Sequence, residues 1–122
     1  MQLNHANLPV TDVAALREFF VRHFGFTEVE TRGRDAFVIL NGDGGFVLNL
    51  MKSREGERFP ENFHVGFLLD TAEQVRTKHV ALLDEGLDVG PVEELRRGGV
   101  GSVTFYCWAP NRILIEVSSS GG

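Results

Sequence analysis

Two histidines and one glutamate each stand within a short run of residues that alternates like a β-strand. His5 lies in "LNHANLPV", His64 in "FHVGFLLD" and Glu116 in "RILIEVS". Side chains along a strand point alternately to its two faces. In each run the apolar residues suited to packing against a helix occupy the face opposite the histidine or glutamate. The pattern therefore predicts three possible metal ligands on sheet faces that are not committed to packing.

Two imidazole nitrogens and a carboxylate oxygen form a suitable set for a divalent ion such as Zn, Ni, Mn, Fe or Co. Three protein ligands would leave coordination positions open for water or substrate. Structural alternatives remain open at this point. A single histidine in a strand is commonly a core or surface residue, a glutamate near the C-terminus is commonly solvated, and periodicity alone does not bring the three faces together.

The elements that would position these residues occur twice in the same order. Residues 1–52 read as strand, helix and three strands, and residues 61–118 repeat that order. The histidines are 64 − 5 = 59 residues apart, and the helix-ending glycines, Gly25 and Gly86, are 86 − 25 = 61 apart. Such near-regular spacing indicates an internal repeat. We predict an α+β fold in which one domain, 1–122, contains two βαβββ modules and ends in a flexible tail, 119–122.

The boundaries follow from turn and capping residues. Thr11 or Asp12 is predicted to cap the first helix, and Thr71 the second. A polar segment, "SREGERFPE", connects the modules. The predicted strands are 1–10, 26–31, 35–41, 45–52, 62–70, 87–95, 102–108 and 112–118, with a glycine turn "RRGGVG" between the sixth and seventh runs.

Composition excludes several function classes. The chain has 122 residues, 43% of them hydrophobic, and a net charge of 12 − 17 = −5. This acidic balance is unsuited to sequence-independent nucleic-acid binding, and no apolar run approaches the roughly 20 residues that span a bilayer. A single cysteine, Cys107, excludes an intrachain disulfide framework and is expected to be an inert core thiol. We therefore expect a cytoplasmic protein that binds neither nucleic acid nor membrane.

Three segments resemble one known superfamily. "LNHANLPVTDVAALREFFVRHFGF" is similar to its first strand, helix and closing "LGF" pattern, "FHVGFLLD" to the opening of its second module, and "APNRILIEV" to its "DPDG…E" turn and ligand strand. Over residues 3–117 the chain resembles the vicinal oxygen chelate superfamily of glyoxalases, bleomycin-resistance proteins and dioxygenases. This resemblance implies curved mixed sheets around a metal or ligand cavity, with His5, His64 and Glu116 as metal ligands, a small-molecule substrate or drug, and a homodimer.

The implied function is a metal-dependent enzyme of the glyoxalase or fosfomycin-resistance type, in which the metal acts as a Lewis acid on a substrate with vicinal oxygens. The class could be a lyase, an isomerase, a thiol transferase or a dioxygenase-like enzyme. Asn49 stands where glyoxalase I enzymes supply a fourth ligand, a glutamate, which counts against lactoylglutathione lyase activity. One alternative is a non-catalytic drug- or metabolite-binding protein of the bleomycin-resistance type. Another is a metal site with a structural role only.

The remaining candidates lie near the expected cavity. Thr104, Tyr106 and Trp108 share one face of their strand, and the matching strand of the thiol transferases offers a small hydroxyl and a tyrosine to an anionic substrate. The resemblance thus implies Thr104 and Tyr106 as catalytic residues, although Tyr106 and Trp108 filling the concave sheet is an equal alternative. Positive charge would come from Arg96 or Arg97. The implied substrate-binding residues are Asn7, Asn49, Arg96 and Trp108. The turn "APNR" lacks the acidic residues and the glycine of the family pattern.

Overall fold

A computed structural model describes residues 1–54, 57–97 and 99–120, and the chain divides into two compact units, Met1–Phe59 and Pro60–Gly122. The first unit contains β1 (His5–Val10), α1 (Val13–His23), β2 (Thr27–Arg32), β3 (Phe37–Asn41) and β4 (Val47–Lys52). The second contains β5 (His64–Leu69), α2 (Ala72–Asp84), β6 (Glu93–Arg97), β7 (Val100–Ala109) and β8 (Ile113–Ser119).

The first unit is a four-stranded mixed sheet with α1 against one face. The strand order is β1-β4-β3-β2, with β1 parallel to β4 and the other pairs antiparallel. Alternate residues of each inner strand are buried, as Leu48 and Leu50 are on β4, and α1 contributes Leu16 and Phe20. The opposite sheet face, which carries His5, therefore makes no contribution to this core.

The second unit repeats this arrangement. Its strand order is β5-β8-β7-β6, with β5 parallel to β8 and the remaining pairs antiparallel. Helix α2 packs against the face that buries Phe105, Ile113 and Ile115. A reciprocal pair of hydrogen bonds stabilises the start of α2. The Thr71 hydroxyl accepts a hydrogen bond from the Gln74 backbone N–H at 3.2 Å, and the Gln74 side chain accepts one from the Thr71 backbone N–H at 3.1 Å.

The predicted α+β class and the two βαβββ modules are confirmed, and so are the helix ends. Asp12 is the cap of α1, since its carboxylate accepts a hydrogen bond from the Ala15 backbone at 3.0 Å. Gly25 and Gly86 follow the two helices with φ of 68° and 78°, a left-handed conformation that glycine adopts without steric cost.

Most strand boundaries shift by one or two residues from the prediction, and three differences affect the interpretation. Strand β1 begins at His5 rather than Met1. Strand β6 begins only at Glu93, because Pro91 has no N–H to donate and the predicted run before it forms just an isolated bridge between Val89 and Cys107. Strand β8 continues to Ser119, which is buried, so this residue is part of the sheet rather than of a flexible tail.

Some predictions fall on other parts of the chain. Residues 55 and 56 of the connector, residue 98 of the glycine turn and residues 121–122 of the tail lie outside the described residues. The turn itself is shorter than predicted, because Arg97 already pairs with Val100. In the described part of the chain, no helix has the length and apolar character needed to cross a membrane.

Candidate functional site

In the second unit, the sheet face opposite α2 brings together residues from three neighbouring strands. His64 of β5 is level with Leu114 of β8, which is level with Trp108 of β7. Two residues after Leu114 on β8, Glu116 pairs with Gly66 of β5 and with Tyr106 of β7. His64, Glu116, Tyr106 and Trp108 therefore share one face, hereafter the His64 face, as the alternation of each strand predicts.

The His64 imidazole is exposed and oriented by the backbone. Its Nδ1 lies 3.1 Å from the Asn62 carbonyl oxygen. A carbonyl can only accept a hydrogen bond, so this contact requires a proton on Nδ1 of the neutral ring and leaves the lone pair on Nε2. Histidines that bind metals are commonly oriented in this way by a hydrogen bond to the other ring nitrogen.

The Glu116 carboxylate is half-buried and also oriented. The Tyr106 hydroxyl donates a hydrogen bond to its Oε1 at 2.8 Å. Its Oε2 faces Gly66, where a β-carbon would stand 3.5 Å from that oxygen. Because residue 66 is a glycine, it places no side chain in the space between His64 and Oε2 of the carboxylate. The Tyr106 ring also lies beside the His64 ring, with the centroids 6.2 Å apart.

The first unit has a comparable polar group on the face opposite α1. Asn7 of β1 is level with Asn49 of β4, and His5 lies two residues before Asn7 on the same face. The Asn49 amide donates a hydrogen bond to the Asn7 side-chain oxygen at 2.8 Å. Nδ1 of His5 lies 2.8 Å from the Asn4 side-chain oxygen, so this imidazole too can keep the lone pair on Nε2.

Comparison with known proteins covers both units of the chain. A model of the glyoxalase/bleomycin resistance protein/dioxygenase superfamily matches residues 2–117. The chain belongs to this superfamily. This match confirms the resemblance to the vicinal oxygen chelate proteins. The superfamily is hereafter called the glyoxalase superfamily.

Solved structures of the glyoxalase superfamily resemble the chain over nearly its whole length. A possible glyoxalase from Bacillus cereus shares 39% sequence identity with a TM-score of 0.81, covering 96% of this chain and 97% of that one. Two further structures share 18% identity and cover 98% of this chain and 93% of theirs: the fosfomycin resistance protein FosX from Listeria monocytogenes, with a TM-score of 0.77, and a lactoylglutathione lyase from Agrobacterium tumefaciens, with a TM-score of 0.79. At that identity the likeness shows the fold alone. A comparison with curated proteins found no match.

Imidazole nitrogens and carboxylate oxygens are donors that suit divalent ions. On the His64 face of the second unit, His64 and Glu116 present one nitrogen and one carboxylate oxygen. In the first unit, His5 presents an imidazole nitrogen on the face opposite α1. Each has one atom already held by a hydrogen bond, which is the usual arrangement around a protein-bound metal. Among residues 1–54, 57–97 and 99–120, no three side chains of His, Cys, Asp or Glu form a group that could hold a metal.

Thr104 lies on the His64 face but is completely buried, with 0% of its surface exposed. Its hydroxyl lies 3.0 Å from that of Ser118 and 3.4 Å from that of Ser102. These hydroxyls form a chain across β7 and β8, a network that sequence reasoning did not find because Ser118 was assigned to a strand end. The geometry gives Thr104 a part in joining the two strands.

Arg96 lies on the wrong face for the role expected of it. It is level with Gly101, and its neighbour Glu94 forms an ion pair with Arg76 of α2 at 3.2 Å. Position 96 is therefore on the helix side of the sheet, where its guanidinium donates to the Gly99 carbonyl at 3.2 Å. The sequence did not assign a face to Arg96, since it lies beyond the predicted strand 87–95 and a difference of one residue in register moves a side chain to the opposite face.

Arg112 is a residue of the His64 face that the sequence did not reveal. Its guanidinium carbon lies 5.0 Å from the centroid of the Trp108 ring. The two residues are separated by a tight turn, and only the folded turn brings them into contact. A basic residue four positions after a tryptophan was the available signal, but that spacing alone does not distinguish a stacked pair from a solvated one.

Two other features lie away from these faces. Burial raises the pKa of the Cys107 thiol to about 11, against a smaller lowering by Lys78. The thiol is thus protonated at neutral pH, which confirms an inert core cysteine. A cavity of about 290 Å³ lies beside the start of α1 and is lined by Asp12, Arg34 and Lys52 among others. Because His5 and Asn49 are not among its lining residues, we place the candidate chemistry on the sheet face instead.

Proposed function

We propose that this protein is a divalent-metal-dependent enzyme that acts on a small molecule with two adjacent oxygen atoms, and that His5, His64 and Glu116 bind the metal. The observation that carries the proposal is the arrangement on the His64 face. His64 Nδ1 and Glu116 Oε1 are each held by a hydrogen bond, which favours Nε2 and Oε2 as the ligand atoms. The membership of the chain in the glyoxalase superfamily supports the same function.

When bound, a divalent ion such as Zn, Ni, Mn, Fe or Co would act as a Lewis acid on the substrate oxygens. The chain itself contributes orientation and proton transfer. The Asn62 carbonyl fixes the His64 ring, and the Tyr106 hydroxyl fixes Glu116. Tyr106 can also exchange a proton with a substrate oxygen on this face, and doing so would release its hydrogen bond to Glu116, since a hydroxyl has one proton to donate.

The position of Asn49 argues against one reaction of the superfamily. An amide is a weak metal ligand and cannot act as a base at neutral pH. Its nitrogen already donates a hydrogen bond to Asn7. We therefore propose chemistry nearer to that of the fosfomycin-resistance type than to that of lactoylglutathione lyase, within a homodimer. A cytoplasmic location stays a prediction.

The test is the metal content of the purified protein, measured by elemental analysis. We expect about one ion per chain in the wild type and a strong loss in His64→Ala and in the double variant His5→Ala/His64→Ala. His23→Gln is the matched control, because it removes an imidazole from α1 and should leave the metal content unchanged. Equal metal content in the wild type and the double variant would contradict the proposal and favour a non-catalytic binding protein of the bleomycin-resistance type.

A further inference from the structure

The turn between β7 and β8 holds two residues in an uncommon backbone conformation. Asn111 has a φ of 67° and Arg112 a φ of 56°. Asparagine tolerates the left-handed region, but arginine rarely adopts it. In the family pattern that this turn resembles, a glycine occurs here, and glycine would have no steric cost. The chain therefore accepts some backbone strain in order to place a long basic side chain at position 112.

The Arg112 side chain is exposed and stacks on Trp108. Its guanidinium carbon is 5.0 Å from the centroid of the indole ring, within the range of a cation–π interaction. Within the described part of the chain, no carboxylate forms an ion pair with this guanidinium. The contact with the ring uses no carboxylate or carbonyl acceptor, so the guanidinium N–H groups are available to bind an oxyanion.

The stacked pair lies at one end of the row that contains His64. Trp108, Leu114 and His64 are level on β7, β8 and β5, so two strand spacings, about 10 Å, separate the backbones of Trp108 and His64. Tyr106 and Glu116 form the next row on the same face. A small substrate that chelates a metal beside His64 could thus extend an anionic group to Arg112.

We propose that Arg112 is a substrate-binding residue that selects molecules carrying an oxyanion, a phosphate or carboxylate, a few bonds from the two chelating oxygens. This inference rests on the proposed function for its chelating half. Trp108 is the positioning residue that holds the guanidinium at the end of the row. The negative net charge of the chain, −5, repels anions in general, which makes a local arginine more important for binding one.

The experiment compares small hydroxyketones with and without an anion. Dihydroxyacetone phosphate and hydroxyacetone differ by the phosphate, and hydroxypyruvate carries a carboxylate directly on the carbonyl carbon, so the contribution of Arg112 to its binding is the difference between the wild type and the Arg112 variants. Binding is measured by calorimetry, and in the wild type also by the fluorescence of Trp108, the single tryptophan. We expect the wild type to bind one of the two anions about tenfold more tightly than hydroxyacetone, as a charge-assisted hydrogen bond allows. The two anions distinguish phosphate from carboxylate as the preferred group.

The variants are Arg112→Gly and Arg112→Lys. Arg112→Gly should fold at least as well as the wild type, because glycine suits the positive φ, and it should lose the preference for the anion. Arg112→Lys should keep part of it, since the charge remains while the planar stack is lost. Thermal unfolding of each variant verifies the fold. Loss of the preference in Arg112→Gly with normal stability would support the role of Arg112.

All titrations are run with and without Zn, Ni, Mn, Fe or Co, which separates this inference from the proposed function. A wild type that binds none of these ions but still prefers the anion through Arg112 would contradict the metal proposal alone. A wild type that binds Zn but shows no preference for either anion, or an Arg112→Gly variant that keeps the preference, would overturn the role of Arg112 alone.

Discussion

The Tyr106 hydroxyl donates a hydrogen bond of 2.8 Å to the Glu116 carboxylate and so helps to orient it. The Tyr106→Phe substitution keeps the ring beside His64 but removes this constraint on the carboxylate. Loss of such an outer hydrogen bond commonly weakens metal binding, and we expect a decrease of about tenfold in affinity for Zn or Ni. A competition titration with a chromophoric chelator measures it.

The control for this prediction is Trp108→Phe, which changes the neighbouring residue of the same face and leaves the hydrogen bond to Glu116 in place. We expect it to retain the metal affinity of the wild type. If Tyr106→Phe and Trp108→Phe bind metal equally well, Tyr106 has no orienting role, and Glu116 is held by other contacts or is not a ligand.

Asn49 offers a second prediction at this scale. Substituting Asn49→Glu adds a charged oxygen on the face that carries His5, at the cost of the hydrogen bond to Asn7. Because carboxylates bind divalent cations far better than amides, we expect metal affinity to rise about tenfold or more. Asn49→Gln is the control that lengthens the side chain without charge.

A hemithioacetal assay with methylglyoxal and glutathione accompanies that titration. We expect negligible conversion by the native protein, because Asn49 cannot take a proton. Robust conversion would show that this residue has been misassigned, and an unchanged affinity in Asn49→Glu would show that position 49 does not approach the metal.

At the scale of elements, strand periodicity predicted the site faces well. The faces of His64 and Glu116 follow from alternation alone, and the register confirms that they belong to adjacent strands. The face of Arg96 could not be predicted, because this residue follows the predicted strand 87–95 and the length of the glycine turn was unknown; its pairing with Gly101 now assigns it to the helix side. Turn length decides on which face a residue lies, and sequence determines turn length less firmly than it determines strand composition.

The stacking of Arg112 on Trp108 illustrates another limit. Each residue belongs to an element that was predicted, the turn and the seventh strand. Their contact depends on a left-handed backbone at Arg112, φ 56°, which no residue preference indicates for arginine. The family pattern has a glycine in this turn where the chain has Arg112, and this difference was the nearest indication of the contact in the sequence.

The cap of α2 gives a prediction for a whole element. Thr71 and Gln74 form a complete capping box, which satisfies two backbone N–H groups at the helix start. Thr71→Ala should lower the free energy of unfolding by about 1 kcal/mol. Thr77→Ala, an exposed substitution within the same helix, is the matched control and should change it by less than about 0.5 kcal/mol. Urea unfolding followed by circular dichroism measures both, and equal stability of the two variants would contradict the capping role.

At the scale of the whole molecule, His5 and His64 lie on equivalent strands of the two units. Each unit has its histidine on an edge strand of its own four-stranded sheet, β1 or β5. An edge strand leaves backbone groups open to further pairing, so association of modules is expected. Sequence repetition predicted the modules. It does not distinguish a module that associates with the other half of its own chain from one that associates with a second copy, because both give the same local contacts.

A mixing experiment distinguishes these arrangements, and we expect a homodimer in which each metal site takes ligands from both chains. His5→Ala and His64→Ala variants are purified separately, mixed, and reassociated from mild denaturant. In a mixed dimer, His64 of the first variant can meet His5 of the second, so one of its two sites is intact. Random pairing makes half of the dimers mixed, and metal content should return to about a quarter of the wild-type value. Each variant treated alone is the control and should stay depleted. If the mixture also stays depleted while light scattering shows a dimer, both histidines of each site belong to one chain; a monomer at micromolar concentration would refute the dimer itself.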